Sequence, residues 1–322
     1  MNTMKWLIER EFWEHKGGFF WAPIVFGAIM VLLVMLSLLV MMFGGDKTAQ
    51  MNGMPLWDFF ASMTDLQKAD FSRISVMSWY GIASTLFFLE FGFVAFFFCL
   101  NALFDERKDR SILFWKSLPV TDEVTVISKA IFATMVAPAI ALGVAIITSA
   151  LALLLTCLML VIKDVGLAGT ILALPLTYLV PLQWIAALPI YVLWALPTVG
   201  WLLMVGAWAR SKPLLWAVLI PVLAYGLITW LNKLFQFGWD LAWFQSHIVL
   251  RVLFSGVPGS WFKLQPMLLN DDRPELMLSG HALEMLSQSW QLVGTANLWI
   301  GVAAGAAMIY AASRIRRWKD EG

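Results

Sequence analysis

Phe104–Lys129 reads FDERKDRSILFWKSLPVTDEVTVISK. Before it runs LFFLEFGFVAFFFCL (86–100), and after it AIFATMVAPAIALGVAIITSALALLL (130–155). A block of mixed charge between two apolar runs, each extending toward the ~20 residues that cross a bilayer, is the loop joining two membrane helices. The rest of the chain agrees. Of 322 residues 61% are hydrophobic and 13% charged, against roughly 25% charged in a soluble domain. A single buried core does not account for so general a shortage of charge.

Working outward, six apolar stretches read as spans: 19–43, 79–104, 130–162, 182–209, 214–235 and 292–313. The third exceeds what ~30 Å of hydrocarbon requires, so it tilts or projects. Trp21, Trp79, Trp184, Trp208, Trp216 and Trp230 fall near span ends, as interfacial belts do. With the N-terminus inside, the inner segments hold 14 of the 22 Lys and Arg residues, including Arg107, Lys108, Arg110, Lys116, Lys129 and the RIRRWK tail. Bases crowd the cytoplasmic side, so both termini are expected there. The first residues carry Glu9, Glu11 and Glu14 among the bases and no small-residue cleavage site follows, so the first span reads as retained.

Residues 1–18 place Met4, Leu7, Ile8 and Phe12 on one helical side and Lys5, Glu9, Arg10, Glu14 and Lys16 on the other. That pattern predicts an amphipathic interfacial helix closed by Gly17-Gly18. The long segments 44–78 and 236–291 mix aromatics with charge, as short extracytoplasmic helices lying on or dipping into the leaflet do. Pro189 and Pro197 are expected to kink the fourth span. The fold class is therefore an all-α integral membrane protein, with a single domain over 1–322: six transmembrane helices, an N-terminal interfacial helix, a cytoplasmic loop at 105–129 and helical extracytoplasmic segments.

Catalytic chemistry is not legible. No phosphate-cradling G-x-x-x-x-G-K-[ST] and no H-E-x-x-H occurs. His15, His247 and His281 have no ligand-like spacing, and Cys99 and Cys157 sit in apolar runs as small hydrophobes. No catalytic, cofactor or metal residue is assigned, and a net charge of +1 points to no nucleic-acid partner.

Within the charged loop, Asp105 to Arg110 continue the second span as helix, and Ile112 to Trp115 form an apolar patch. Leu118-Pro119 break it, and Thr121 caps a new helix with Asp122 and Glu123 at its positive end. An apolar patch rimmed by both charge signs suits docking to a protein; a lipid-binding patch is more uniformly basic.

The pattern Glu106-Arg107, Ser111-Ile112, Phe114, Ser117-Leu118-Pro119-Val120-Thr121 and Ser128-Lys129 between two spans resembles the permease subunits of ABC-2 type ABC exporters. The resemblance extends to the interfacial helix, the six spans, the basic turn ARSKP (209–213) and the long outer segment before the sixth span. It implies that the loop holds a coupling helix seated in a groove of a separate ATPase subunit, with Glu106, Arg107, Ser111, Phe114, Leu118 and Pro119 at the docking surface. It also implies two permease copies, as a homodimer or a related heterodimer, two ATPase copies that bind ATP and Mg, no enzymatic activity in this chain, and a bacterial cytoplasmic (inner) membrane location. Two other readings are open: an ion-coupled secondary transporter using Glu90, and a non-transporting assembly or sensing subunit.

Glu90 is the acidic residue deep in a span. At the helical rise it lies roughly 16 Å beyond Trp79 and roughly 21 Å short of Phe104, where a charge costs at least ~2.5–3.5 kcal/mol on insertion scales. Gly81, Ser84, Thr85, Gly92, Ala95 and Cys99 line one side of that helix as a seam for close packing. Glu90 points away from the seam, toward the side of Asn101. It either bonds a neighbouring helix, faces a translocation path at the dimer interface, or couples protons.

Overall fold

The computed structural model describes residues 3–43, 50–51, 54–109, 120–261 and 282–319, and nearly all of them are helical. Six helical runs are long and apolar enough to cross a membrane, which is the architecture of a multi-pass membrane protein: Thr3–Phe43, Asp65–Lys108, Asp122–Ile162, Leu167–Trp208, Pro213–Phe235 and Ala296–Trp318.

The first run joins α1 (Thr3–Lys16) to α2 (Ala22–Phe43) through a π-helical turn at Gly17–Trp21. The glycine pair predicted to close α1 therefore does not end the helix. The backbone leaves helical geometry at His15 (φ −109°, ψ 15°), a kink two residues before the pair, and returns to right-handed helix at Lys16. Gly18 serves packing instead: a Cβ there would stand 3.1 Å from Val94 Cγ1 of the second long helix.

After a two-residue hairpin (Gln50–Met51 with Met54–Pro55) and α3 (Leu56–Ala61), α4 runs unbroken from Asp65 to Asn101. Its start lies well before Trp79. Thr64 and Gln67 close a capping box, with Thr64 N donating to Gln67 Oε1 at 2.9 Å and Gln67 N to Thr64 Oγ1 at 3.4 Å. No Gly or Pro interrupts the helix before Gly81, so residues 65–78, expected to belong to a separate segment, extend the membrane helix.

α5 (Phe104–Lys108) follows, then α6 (Asp122–Ile131), a π-turn at Phe132–Val136, and α7 (Ala137–Ile162). Thr121 caps α6, accepting from Val124 N at 3.3 Å. α8 (Leu167–Ala173) leads into α9 (Leu176–Trp208), which remains one helix through Pro181, Pro189 and Pro197. α10 (Pro213–Phe235) is the fifth long helix. The next segment is helical over α11 (Leu241–Phe244), a π-stretch and α12 (Arg251–Phe254). α13 (Ala282–Gln291) and α14 (Ala296–Lys319) are the last of the described elements.

α9 is the central helix, packed on α14 and α4, while α4 packs on α7. Small residues set these crossings. A Cβ on Gly200 would stand 2.5 Å from the Gly305 carbonyl oxygen of α14, and one on Gly206 would stand 2.5 Å from the Leu100 oxygen of α4. In a membrane such close backbone approach supplies dispersion contacts where the hydrophobic effect between helices is absent. Around them, Ile190, Tyr191, Trp194 and Leu202 of α9 bury against Phe91 of α4 and Phe132.

The predicted seam on α4 divides. Gly92, Ala95 and Cys99 are buried, and a Cβ on Gly92 would meet Val257 at 2.6 Å. Gly81 and Thr85 are exposed, and nothing lies within 4 Å of a Cβ placed on Gly81. α2 and α10 expose apolar side chains along their length, among them Leu32, Leu36 and Val40 on the first and Val222, Leu227 and Trp230 on the second. Such surfaces suit hydrocarbon.

Candidate functional site

Four of the predicted docking residues, Ser111, Phe114, Leu118 and Pro119, lie outside the described residues, as does the whole stretch 110–119. The structure does place both ends of that loop, and they meet at one buried cluster of charge.

Glu106, on α5, sits at its centre. Lys129 of α6 donates to Glu106 Oε1 at 3.0 Å, Arg10 of α1 to the same oxygen at 3.2 Å, and Arg316 of α14 to Oε2 at 2.6 Å. Lys129 also donates to Glu11 Oε1 of α1 at 2.9 Å, and Arg10 to that oxygen at 2.6 Å. Arg316 Nε donates to Asp122 Oδ1 at 2.9 Å, in the first turn of α6. Glu11 is fully buried, and Lys129 is 2% and Arg316 3% exposed.

Three bases thus face three acids in one water-poor site. Fully charged and paired, such a cluster contributes little net stability over an apolar core, but losing a single member leaves an uncompensated charge and costs several kcal/mol. Its strong effect is on geometry: α1, α5, α6 and α14 are held in one register at the base of the loop. A cleft of about 530 Å³ reaches the cluster, lined by Glu106 and Lys129 together with Glu14, His15, Asp105 and Asp109.

Arg107 is likewise turned inward. It donates to the carbonyl oxygens of Gly206 at 2.5 Å and Ala209 at 2.9 Å, at the C-terminal end of α9. Those carbonyls lack helical partners, and a cation there also meets the negative end of the helix dipole. Glu106 and Arg107 therefore tie the loop's first end to the body of the protein.

Sequence reading assigned Arg10 and Arg316 to topology and left Glu11, Asp122 and Lys129 without partners. One signal was present. Glu11 lies four residues after Leu7 and next to Phe12, on the apolar side of α1, and both Leu7 and Glu11 are buried. A carboxylate on a buried stripe requires a cation.

Both carboxylate oxygens of Glu90 are buried and without a hydrogen-bond partner among the described residues. One group among the described residues brings metal-ligand atoms together, Glu11, Glu14 and His15, all within 4.8 Å. The i, i+4 turn of α1 juxtaposes Glu11 and His15, so His15 is not isolated as its sequence spacing suggested. Glu11 is already engaged by Arg10 and Lys129, and the adjacent cations disfavour a metal ion.

No family model matches the chain, and neither a curated protein nor a solved structure matches it.

Proposed function

We propose that this chain is the membrane-spanning permease subunit of an ABC-2 type exporter. It forms part of a translocation path and carries no hydrolytic site; ATP and Mg belong to a partner ATPase present in two copies, beside a second permease copy. In this reading the membrane is the bacterial inner membrane with both termini cytoplasmic, α1 rests in its interface, and residues 105–129 form the coupling loop.

The observation that carries the reading, beside the sequence resemblance, is the rooting of that loop. Its two ends, at α5 and α6, are joined through Glu106, Lys129 and Asp122 to α1 and α14, and through Arg107 to α9. A loop that only connected two spans would need no such anchorage. A loop that receives a push from a partner must pass it to several helices, and rigid elements with discrete packing transmit such a push. Ser111, Phe114, Leu118 and Pro119 would meet the ATPase, while Glu106 and Arg107 position the loop from behind.

The test is co-purification with the product of an adjacent reading frame that carries a Walker A motif, followed by ATPase assays in lipid. A stable complex whose hydrolysis depends on this chain supports the reading; an absence of any such partner removes it.

The unpartnered buried carboxylate of Glu90 favours one second reading, an ion-coupled secondary transporter in which Glu90 exchanges a proton. Reconstituted transport that depends on a pH gradient and not on ATP would select it. A non-transporting assembly or sensing subunit would instead bind its partner without moving a substrate.

A further inference from the structure

A second cavity, of about 770 Å³, lies between α4 and α9, away from the charge cluster. It falls within the size range of small-molecule sites. One wall is a stripe of α4 at helical spacing: Arg73, Met77, Gly81, Ser84 and Phe88. From Arg73 to Phe88 this stripe rises roughly 22 Å, more than half of the ~30 Å hydrocarbon core. The hollow exists because α4 presents Gly81, Ser84 and Thr85 where larger side chains would close the gap to α9. Gly81 faces open space.

The opposite wall is firm. Trp184 of α9 packs edge-on against Tyr80 and Phe88, with ring centroids 5.6 and 5.9 Å apart. Tyr80 also donates to the Thr177 carbonyl at 3.1 Å, so the hollow is preformed and does not depend on a ligand to open it.

Two features identify what fits. First, Ile74, Ile82 and Leu89 line the cavity and are also exposed. The mouth therefore opens sideways through an apolar rim, toward the hydrocarbon around a membrane helix. Second, Arg73 at one end is the charged residue of the lining, is exposed, and has no ion pair or hydrogen bond among the described residues.

We infer that this cavity is a lateral binding site for an anionic phospholipid of the surrounding bilayer, with its phosphate at Arg73 and an acyl chain along the α4 stripe toward Phe88. A long apolar slot with one cation at its end matches an anionic amphiphile and mismatches a cationic or fully polar solute. Basic residues at openings between membrane helices bind anionic headgroups by the same charge attraction. The site needs no ATPase and stands apart from the exporter reading. An exporter would have use for such a site as an entry for an amphiphilic substrate.

The test uses the full chain in nanodiscs containing phosphatidylglycerol with a diazirine on one acyl chain. Crosslinks are mapped by mass spectrometry, and phosphatidylcholine bearing the same chain serves as the comparison. The inference predicts labelling concentrated on Gly81–Phe88 and Gln183–Ala187, above that on the exposed faces of α2 and α10, and displaced by unlabelled phosphatidylglycerol. Gly81→Trp, which places an indole in the open space, should abolish cavity labelling while labelling of α2 is unchanged. Arg73→Gln, an exposed substitution that leaves the walls intact, should reduce phosphatidylglycerol labelling about three- to fivefold, the effect of losing one partly solvated ion pair. Cavity labelling no denser than on α2, labelling unaffected by both variants, or equal labelling by phosphatidylcholine would overturn the inference.

Discussion

Replacing Lys129 with methionine keeps the length and volume of the side chain and removes one charge from the buried cluster. Lys129 is 2% exposed and lies 2.9 Å from Glu11 and 3.0 Å from Glu106. Its loss leaves Glu11, fully buried, and Glu106, which lines the cleft, sharing fewer cations. Breaking a buried pair in this way costs ~3–5 kcal/mol. Arg10 and Arg316 still serve Glu11 and Glu106, so the lower end, about 3 kcal/mol, applies. At roughly 2–4 °C per kcal/mol for larger chains, thermal unfolding should drop on the order of 6–12 °C. Intrinsic tryptophan fluorescence of the protein in nanodiscs reports it. Adding Glu11→Gln to Lys129→Met restores the balance of charge and should recover at least ~1 kcal/mol relative to the single variant, a coupling that a double-mutant cycle reads directly. A Lys129→Met shift under ~1 °C, or a double variant no better than the sum of the two singles, would show that the cluster does not act as one unit.

Single cysteines replacing Asp58 and Lys263 should react with an impermeant thiol reagent outside intact cells, while one replacing Lys116 should react only after permeabilisation; outside labelling at Lys116 reverses the orientation. Glu90→Gln, a neutral isostere, should preserve expression and partner binding, whereas Glu90→Leu should impair one or both; a stable and active Glu90→Leu would remove any special role for this carboxyl. Gly200→Leu should destabilise the chain by about 1–3 kcal/mol, because its Cβ would fall 2.5 Å from the Gly305 carbonyl, which belongs to a helix and cannot turn aside. Equal thermal stability of Gly200→Leu and wild type would mean that α9 and α14 do not cross closely at this point.

The apolar runs announced the helical, membrane-crossing architecture because their length against a bilayer is a one-dimensional property. Helix ends were harder. Thr64 and Gln67 form a readable capping signal, but the charges at Asp65, Lys68, Asp70 and Arg73 suggested a separate surface segment, and the structure continues them into α4. Gly17-Gly18 looked like a terminator, yet glycine is also what a close neighbour needs, and Val94 is that neighbour. The same ambiguity divides Gly81 from Gly92: both are small residues on one helix, and only the presence of Val257 beside one and of open space beside the other tells packing from cavity. The charge cluster was least legible. Arg316 and Asp122 lie 194 residues apart, so their pairing depends on how four helices converge. The misplaced charge at Glu11 was its one local trace.

The central claim, that residues 105–129 couple this chain to an ATPase, is tested most directly by Phe114→Ala in the purified complex with that ATPase. Aromatic anchors and arginines carry a disproportionate share of interface energy. The account predicts normal membrane insertion, with either loss of the co-purifying ATPase or ATP hydrolysis no longer linked to transport. If Phe114→Ala, Arg107→Ala and Pro119→Ala combined leave both assembly and coupled transport at wild-type levels, the loop is not the coupling element.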